Sequence, residues 1–410
     1  MRIFTFLRFM RQIMRKKPAD IEWIQKQGLI AVKLAQIFAL RPDLLGTEKC
    51  QQLQQLYQHA ASIPRESLTE TLNSKAIDNF SEHFEYIDQE PLASASVGQV
   101  HRAKLKSGEE VVIKFVKQAN SVVFTKEVKR MRSWLRILLI FSPRLRKVGN
   151  PMGLINHVAD YTLRELNLLN EIKGANELIE IQNNISDNFP TPLLRFPKYY
   201  PELSNSNVLV SEFIDGMSLE EGIENKSLSW EKLLKLFRIH GAYLFGIGTF
   251  HGDLHPGNCI IDKDGKFVFI DNAAVCHAPK VVSSSLFTFF DNLANKNLDQ
   301  AFHALLNMTN FPPSEKRLAK YMKKMHSIYH DFGDKPVGEQ SLTKVMMETV
   351  RAAVELAGAE FGEEAFPIIR ALMYLDGLVL RTHPDVFLIQ SMGPYLEEFR
   401  VKLGLGKEMV

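Results

Sequence analysis

The stretch His251 to Ala273, HGDLHPGNCIIDKDGKFVFIDNA, constrains this chain more than any other, because it sets a carboxylate, an amide and a second carboxylate on a short piece of backbone. Asp264-Gly265 between two apolar runs signals a two-residue hairpin turn. With that turn, Asn258 and Asp271 are equidistant from it and face each other across paired strands, where opposed side chains sit roughly 5 Å apart. An amide oxygen beside a carboxylate makes a pair of hard ligands, suited to Mg²⁺ carrying phosphates rather than to a softer metal. Asp253, on the preceding loop, is placed to accept the proton of an attacking hydroxyl or to orient a water. Any one of these residues alone would read as a solvated acid on a surface hairpin. Together, with His251, His255, Pro256 and Gly257 shaping the loop, they point to phosphate and metal chemistry.

The chain has room for such a site. Its 410 residues can bury one large two-lobed core or two domains, and 45% hydrophobic with 24% charged residues excludes a disordered chain. Cys50, Cys259 and Cys276 are too few and too scattered for a disulfide framework or a paired metal motif, and they favour a reducing compartment. No apolar run reaches the roughly 18 residues of a spanning helix. A net charge of +3 is too small to imply nucleic acid, and its placement matters more. The first seventeen residues, MRIFTFLRFMRQIMRKK, hold six basic side chains and no acid. Ile3, Phe6, Leu7, Met10, Ile13 and Met14 recur at helical spacing on one face, with Arg8, Arg11, Gln12 and Arg15 on the other. That is the pattern of a helix lying in an anionic membrane surface. Arg8 and Arg11 interrupt any signal-peptide core; a basic helix packed on its own domain is the competing reading.

Helical patterning continues from Asp20 to about Thr71. Lys33 and Gln36, one turn apart in GLIAVKLAQIFALRPDLL, point the same way and, taken alone, read as a solvated stripe. Arg41-Pro42 ends that helix, and the next, from about Thr47, carries Leu53, Leu56 and Tyr57 on one side. The period then changes. Leu92 to Val100, LASASVGQV, leads through Leu105 to a turn at Ser107-Gly108 and on to EEVVIKFVK, Glu109 to Lys117. Two strands about a small-residue loop are implied, and small side chains let backbone approach a phosphate closely. Lys114, the one ammonium among Val111, Val112, Ile113, Phe115 and Val116, needs an anionic partner. The basic stretch Lys126 to Lys147 reads as a helix packed internally and closed at Gly149-Asn150-Pro151. A further helix, Leu154 to about Ile181, carries Glu165 and Glu171, which on one helix point in different directions; Glu171 is the candidate partner of Lys114. Asn207 to Leu219, NVLVSEFIDGMSL, reads as a strand entering a Gly-containing linker. Amphipathic helices follow from Ser229 to Phe250 and from about Ser283 to Glu408, with loops at Phe311-Pro312-Pro313 and Gly333-Asp334-Lys335-Pro336.

The order Asp, Asn, Asp resembles the catalytic and metal-binding loops of the protein-kinase-like superfamily. Nearly the whole chain is similar to the UbiB family of atypical kinases, the group that supports coenzyme Q and other prenyl-quinone pathways. The family's Lys-x-Gly-Gln motif is matched by Lys33-Leu34-Ala35-Gln36, and its alanine-rich loop by Ala93-Ser94-Ala95-Ser96-Val97-Gly98-Gln99. Its Val-Ala-Ile-Lys lysine corresponds to Lys114, and its Glu-x-Asp motif with the following glutamate falls on Glu165, Asn167 and Glu171. The catalytic Asp and metal Asn fall on Asp253 and Asn258, and the metal Asp on Asp271. The resemblance implies an α+β, two-lobed protein-kinase-like fold: a helical extension over 1–90, an N-lobe with a helical insertion over 91–216 and a mostly helical C-lobe over 217–410. It implies ATP and Mg²⁺ as cofactors, with slow hydrolysis rather than phosphorylation of proteins. On it, Ala93 to Gln99, Lys114 and Glu212 contact the nucleotide, and Glu171 fixes Lys114. The 207–219 stretch joins the lobes, with Leu209 and Phe213 as candidate contacts to the adenine ring. Lys33, Gln36 and Glu165 become regulatory residues of the extension. The expected partners are an isoprenoid lipid or quinone precursor and an anionic membrane surface met through residues 1–17, with no nucleic acid. The expected location is cytoplasmic, peripheral at the inner face of the membrane.

Three departures separate the chain from that pattern. Ala35 stands for glycine; Asn167 stands for Asp, removing a charge from a motif that in the family helps the extension cover the nucleotide site. Asp271-Asn272-Ala273 stands for Asp-Phe-Gly, keeping the carboxylate but neither the hydrophobic anchor nor the flexible glycine. Two rival functions stay open. The loop HGDLHPGN also looks like that of aminoglycoside and choline phosphotransferases, which would make the chain a small-molecule kinase. The altered motifs also suit a nucleotide-gated lipid-binding scaffold, a pseudokinase.

Overall fold

The structure, a computed structural model, describes residues 3–15, 17–39, 45–58, 65–94, 97–117, 121–141, 151–309 and 312–406. Arg41-Pro42, Ala95, Ser96, Gly149-Asn150 and Phe311 lie outside them, as does the side chain of Tyr57. Helices α1 (Ile3–Met14), α2 (Ile21–Lys26), α3 (Leu29–Phe38), α4 (Thr47–Gln58) and α5 (Leu68–Lys75) come first. Strands β1 (Phe84–Ser94), β2 (Gly98–Leu105) and β3 (Glu110–Val116) follow, then α6 (Ser121–Phe141), α7 (Pro151–Glu165) and α8 (Leu169–Ile185). Next come β4 (Leu194–Arg195), β5 (Val208–Glu212), β6 (Gly216–Ser218), α9 (Leu219–Glu224) and α10 (Trp230–Gly241). Strands β7 (Thr249–His251), β8 (Cys259–Asp262), β9 (Phe267–Phe269) and β10 (Val275–His277) precede the closing helices. These are α11 (Lys280–Ala294), α12 (Leu298–Leu306), α13 (Glu315–Tyr329), α14 (Leu342–Ala352), α15 (Ala365–Thr382) and α16 (Leu388–Lys402).

The chain divides into two compact units: Met1–Gly174 with Pro197–Ile214 and Asn272–Ala274, and Ala175–Phe196 with Asp215–Asp271 and Val275–Val410. In the first, the antiparallel sheet β1-β2-β3-β5 buries alternate residues. Ala103, Leu105, Val111, Ile113 and Phe115 line one face and pack with Leu68 and Leu72 of α5. Strand β1 opens at Phe84, so the change of period comes earlier than Leu92. It is an edge strand, and its register shifts on both sides of Pro91, where a missing N–H is tolerated.

Three other expectations are corrected in this unit. Glu165 ends α7 and Glu171 lies in α8, because the helix breaks over 166–168 and Asn167 Oδ1 accepts from the Leu169 N–H at 3.3 Å. The face of α1 that turns into the protein is not the one read from spacing: Phe6, Phe9, Gln12 and Ile13 are buried, while Phe4 is 83% exposed and Leu7 and Met14 are exposed as well. Helix α6 buries Phe124, Val128, Met131 and Leu135, whereas Val122, Val123, Ile137 and Ile140 are exposed, so among the described residues it is not enclosed on all sides.

In the second unit the hairpin β8-β9 sits within a sheet of order β4-β9-β8-β6, and β7 pairs with β10 on either side of the 252–274 segment. Helix α10 runs into a π turn at Ala242–Ile247 that ends on Gly248. There φ is +82° and a Cβ would meet the Ala278 carbonyl at 2.6 Å, so only glycine turns the chain into β7. Among the described residues no helix is long and apolar enough to cross a membrane.

Candidate functional site

Strand register places Lys114 between Val100 of β2 and Leu209 of β5, on the sheet face opposite the α5-packed core. Its Nζ donates to Glu171 Oε1. Glu171 is only 3% exposed, and its other oxygen accepts the Asn272 N–H at 3.2 Å. Asn272 is buried in turn and donates from Nδ2 to Tyr199 Oη at 3.1 Å. Burying a carboxylate is costly unless donors surround it, and here two do. Leu209 is buried beside Lys114, whereas the Phe213 ring stacks under the Arg102 guanidinium at 4.3 Å.

Of the small-residue motif, Ala93 and Ser94 end β1 and Gly98 and Gln99 open β2. Gly98 lets β2 lie close to β3, since a Cβ there would lie 3.1 Å from the Phe115 carbonyl oxygen. Lys117, which the sequence reading passed over, clasps it: Nζ donates to Ser94 Oγ at 2.7 Å and its N–H to the Val97 carbonyl at 3.0 Å. Burial pushes this amine down to about 8. Two side chains grouped with the nucleotide contacts point elsewhere. Gln99 pairs with Phe115, one residue out of phase with Lys114, and is buried on the core face against His101 Nε2 at 2.8 Å. Glu212 turns its carboxylate to the Lys198 N–H at 3.0 Å. Alternation along a strand sends neighbouring residues of one motif to opposite faces, which motif spacing alone does not show.

Lys33 and Gln36 do not form a solvated stripe. Both are buried: Lys33 Nζ lies 2.6 Å from Glu165 Oε2 and Gln36 Nε2 donates to the Leu56 carbonyl at 2.9 Å. The signal was present in α3, where Ile30, Ala31, Leu34 and Ala35 are buried too. A helix apolar on all sides is enclosed, and polar residues on it need partners.

In the second unit the turn holds three residues, not two. Cys259 pairs with Phe269 and Ile261 with Phe267, while the Asp262 N–H donates to the Lys266 carbonyl and Gly265, at φ +78°, closes the loop. Asn258 therefore stands opposite Ile270, whose N–H donates to its carbonyl at 3.0 Å, and Asp271 lies one residue beyond rather than directly across. The extra residue in the turn shifts the register by one. Asp271 itself takes φ 58°, ψ 49°, a left-handed conformation uncommon for a residue with a Cβ and concentrated at functional positions.

The loop is fixed by its own side chains. Asn258 Nδ2 donates to the Asp253 carbonyl at 2.9 Å, which identifies Oδ1 as the oxygen available to a cation. The Asp253 N–H donates to His251 Nδ1 at 3.2 Å, so the ring proton is on Nε2, which faces the Ile270 carbonyl at 3.1 Å. Burial lowers the His251 and His255 pKa values and keeps both rings neutral at pH 7. His255 Nδ1 accepts the Gly257 N–H at 3.0 Å. Arg370, also missed in the sequence, reaches this loop from α15. Among the described residues no three His, Cys, Asp or Glu side chains gather for an ion. A cation held by Asn258 and Asp271 would need phosphate and water oxygens to complete its shell, which suits Mg²⁺ on a nucleotide.

A strand lysine held by a helix glutamate, with an Asp-Asn loop leading through a hairpin to a second Asp, defines a protein-kinase-like α+β fold. The model of the ABC1 atypical kinase-like domain matches residues 55–305, and the chain belongs to that family. A probable protein kinase UbiB of Pseudomonas fluorescens is 26% identical over 413 residues, covering 94% of this chain and 73% of that protein. The probable protein kinase UbiB of Sodalis glossinidius is 25% identical over 389 residues, covering 92% and 69%. The solved complex of Rv3197 with erythromycin from Mycobacterium tuberculosis covers 98% of this chain and 94% of its own at 19% identity, with a TM-score of 0.57, a likeness of fold.

Proposed function

We propose that this chain is an ATP- and Mg²⁺-dependent atypical kinase or ATPase of the UbiB type, acting in ubiquinone or other isoprenoid-lipid metabolism at a membrane surface. The observation that carries the proposal is Glu171, one buried carboxylate that takes both Lys114 Nζ and the N–H of the residue after Asp271. Bound Mg²⁺ would neutralise phosphate charge. Lys114, oriented by Glu171, adds its ammonium to that field. Asn258 Oδ1 and the Asp271 carboxylate are the hard ligands for the cation. Asp253 orients a water or an acceptor hydroxyl for attack on the γ-phosphorus. The new O–P bond forms as the bond to the β–γ bridging oxygen breaks, ADP leaves, and the proton of the attacking oxygen passes to Asp253.

The buried Lys33–Glu165 pair, which ties α3 to α7, supports the UbiB reading over a small-molecule phosphotransferase. The exposed Phe4, Leu7 and Met14 beside Arg8, Arg11 and Arg15, and the exposed apolar residues of α6 beside Lys126, Lys129, Arg130 and Arg136, support an anionic membrane surface as partner. Asp253→Asn tests the chemistry: phosphate release should fall about 10²–10⁴-fold with nucleotide affinity little changed, and undiminished turnover refutes the assignment. Stoichiometric phosphorylation of a hydroxyl compound would favour the small-molecule kinase, and nucleotide binding without phosphate release the scaffold. Reversing Arg8 and Arg11, or Lys126, Lys129 and Arg130, to Glu should abolish co-sedimentation with anionic vesicles. Unchanged co-sedimentation removes the membrane from the proposal.

A further inference from the structure

Helix α15 carries two buried charges, Arg370 and Asp376, on a mostly apolar sequence. Asp376 is accounted for, since it accepts from the Leu342 and Thr343 N–H groups at 3.0 and 2.9 Å and caps α14. Arg370 is not a packing residue of the same kind. Ile368 and Leu372 are buried in the helical core, and Arg370 lies about 200° round the helix from Ile368. It is 4% exposed, and a guanidinium enclosed to that degree is costly unless it meets acceptors. Its Nε donates to the Gly252 carbonyl at 2.8 Å and stands 3.8 Å from Asp253 Oδ1. One turn further on, Tyr374 meets the His255 ring edge to face, with centroids 5.5 Å apart.

The Gly252 carbonyl and the Asp253 N–H belong to one peptide group. Its oxygen is held by Arg370 and its N–H by His251, so its plane is fixed at both ends. That plane sets the direction in which the Asp253 side chain leaves the backbone. We propose that Arg370 is a positioning residue for phosphoryl transfer, locking the Gly252–Asp253 peptide and the Asp253 carboxylate in their working orientation. The proposal rests on the role given to Asp253 above. Misplacing such a group by about 1 Å costs on the order of 10²-fold in rate, whereas a residue that only fills space leaves the turnover of each folded molecule alone.

Arg370→Lys, which keeps the charge and loses the Nε–H, and Arg370→Met, which keeps the stem alone, test it in the full chain. The readouts are hydrogen exchange at the Asp253 amide, affinity for MgATP, and phosphate release per folded molecule. Both variants should exchange the Asp253 amide at least about tenfold faster and lose about 10²-fold in kcat, with MgATP affinity within about threefold of wild type. Wild-type amide exchange in a folded variant overturns the inference, as does a loss of turnover that follows the folded fraction or the MgATP affinity. If Arg370→Met fails to fold, Arg370→Lys decides alone. If the unaltered protein releases no phosphate from MgATP, the role of Asp253 fails, and amide exchange still decides whether Arg370 holds the loop.

Discussion

Lys33 Nζ stands 2.6 Å from Glu165 Oε2, and the two side chains are almost closed to solvent. Removing one member leaves the other as an enclosed charge, at a cost of about 3–5 kcal/mol, while replacing both with apolar residues of similar size is far milder. Lys33→Met alone should therefore lower the urea midpoint much more than Lys33→Met combined with Glu165→Leu. Equal, additive losses in the double-mutant cycle would mean that the two residues are not coupled.

Glu171→Gln exchanges one of two acceptor oxygens for an amide nitrogen, so either Lys114 or the Asn272 N–H faces another donor. A hydrogen bond to a charged group contributes about 1.5–3 kcal/mol. MgATP affinity should drop about tenfold or more by titration calorimetry while the protein stays folded. Unaltered affinity would separate this carboxylate from nucleotide binding.

The left-handed backbone of Asp271 predicts opposite behaviour for two substitutions. Asp271→Gly suits φ 58° and should leave the melting temperature within a few degrees, whereas Asp271→Val forces a β-branched residue into the same conformation and should lose about 1–2 kcal/mol or more. Both should abolish Mg²⁺-dependent nucleotide binding. Retention of that dependence in the glycine variant would remove Asp271 from the cation site.

His240 is enclosed edge-on to Phe250, and neither ring nitrogen meets a hydrogen-bonding partner among the described residues. Burial pushes its pKa down to about 3. The folded protein holds it neutral, whereas the unfolded chain takes up a proton near pH 6.5. Its contribution to stability is intact above pH 6.5 and is lost progressively as pH falls toward 3, by about 1.4 kcal/mol per unit at most. His251 shifts in the same direction. His240→Leu should stabilise the protein and flatten the fall of melting temperature between pH 6.5 and 4. A parallel fall in both proteins would exclude His240 as a source of acid sensitivity.

The residues that were legible in advance are those whose type and spacing carry chemistry over a short span. Lys114 stood out as one ammonium in an apolar strand, and Asp253, Asn258 and Asp271 lie within nineteen residues of one another. The hairpin was legible too, but not its register, because a three-residue turn closing on Gly265 and a two-residue one look alike in sequence. Gln99 was misread for a related reason: a motif is linear, while a strand sends alternate residues to opposite faces. The break at Asn167 was invisible to helical periodicity, since a side-chain oxygen and one peptide N–H produce it. Arg370 lay beyond local pattern altogether, on a helix more than a hundred residues from the carbonyl it holds.

The chain leaves the second unit at Asn272, contributes three residues to the first and returns at Val275, after earlier crossings near residues 174, 196 and 214. No single scission can part the halves. A fragment stopping at residue 214 would retain Glu171 yet lack the Asn272 amide that carboxylate binds, and the complementary piece would miss the sheet strands that precede it. Interlaced in this way, the molecule should resist dissection by limited proteolysis into independently folding parts.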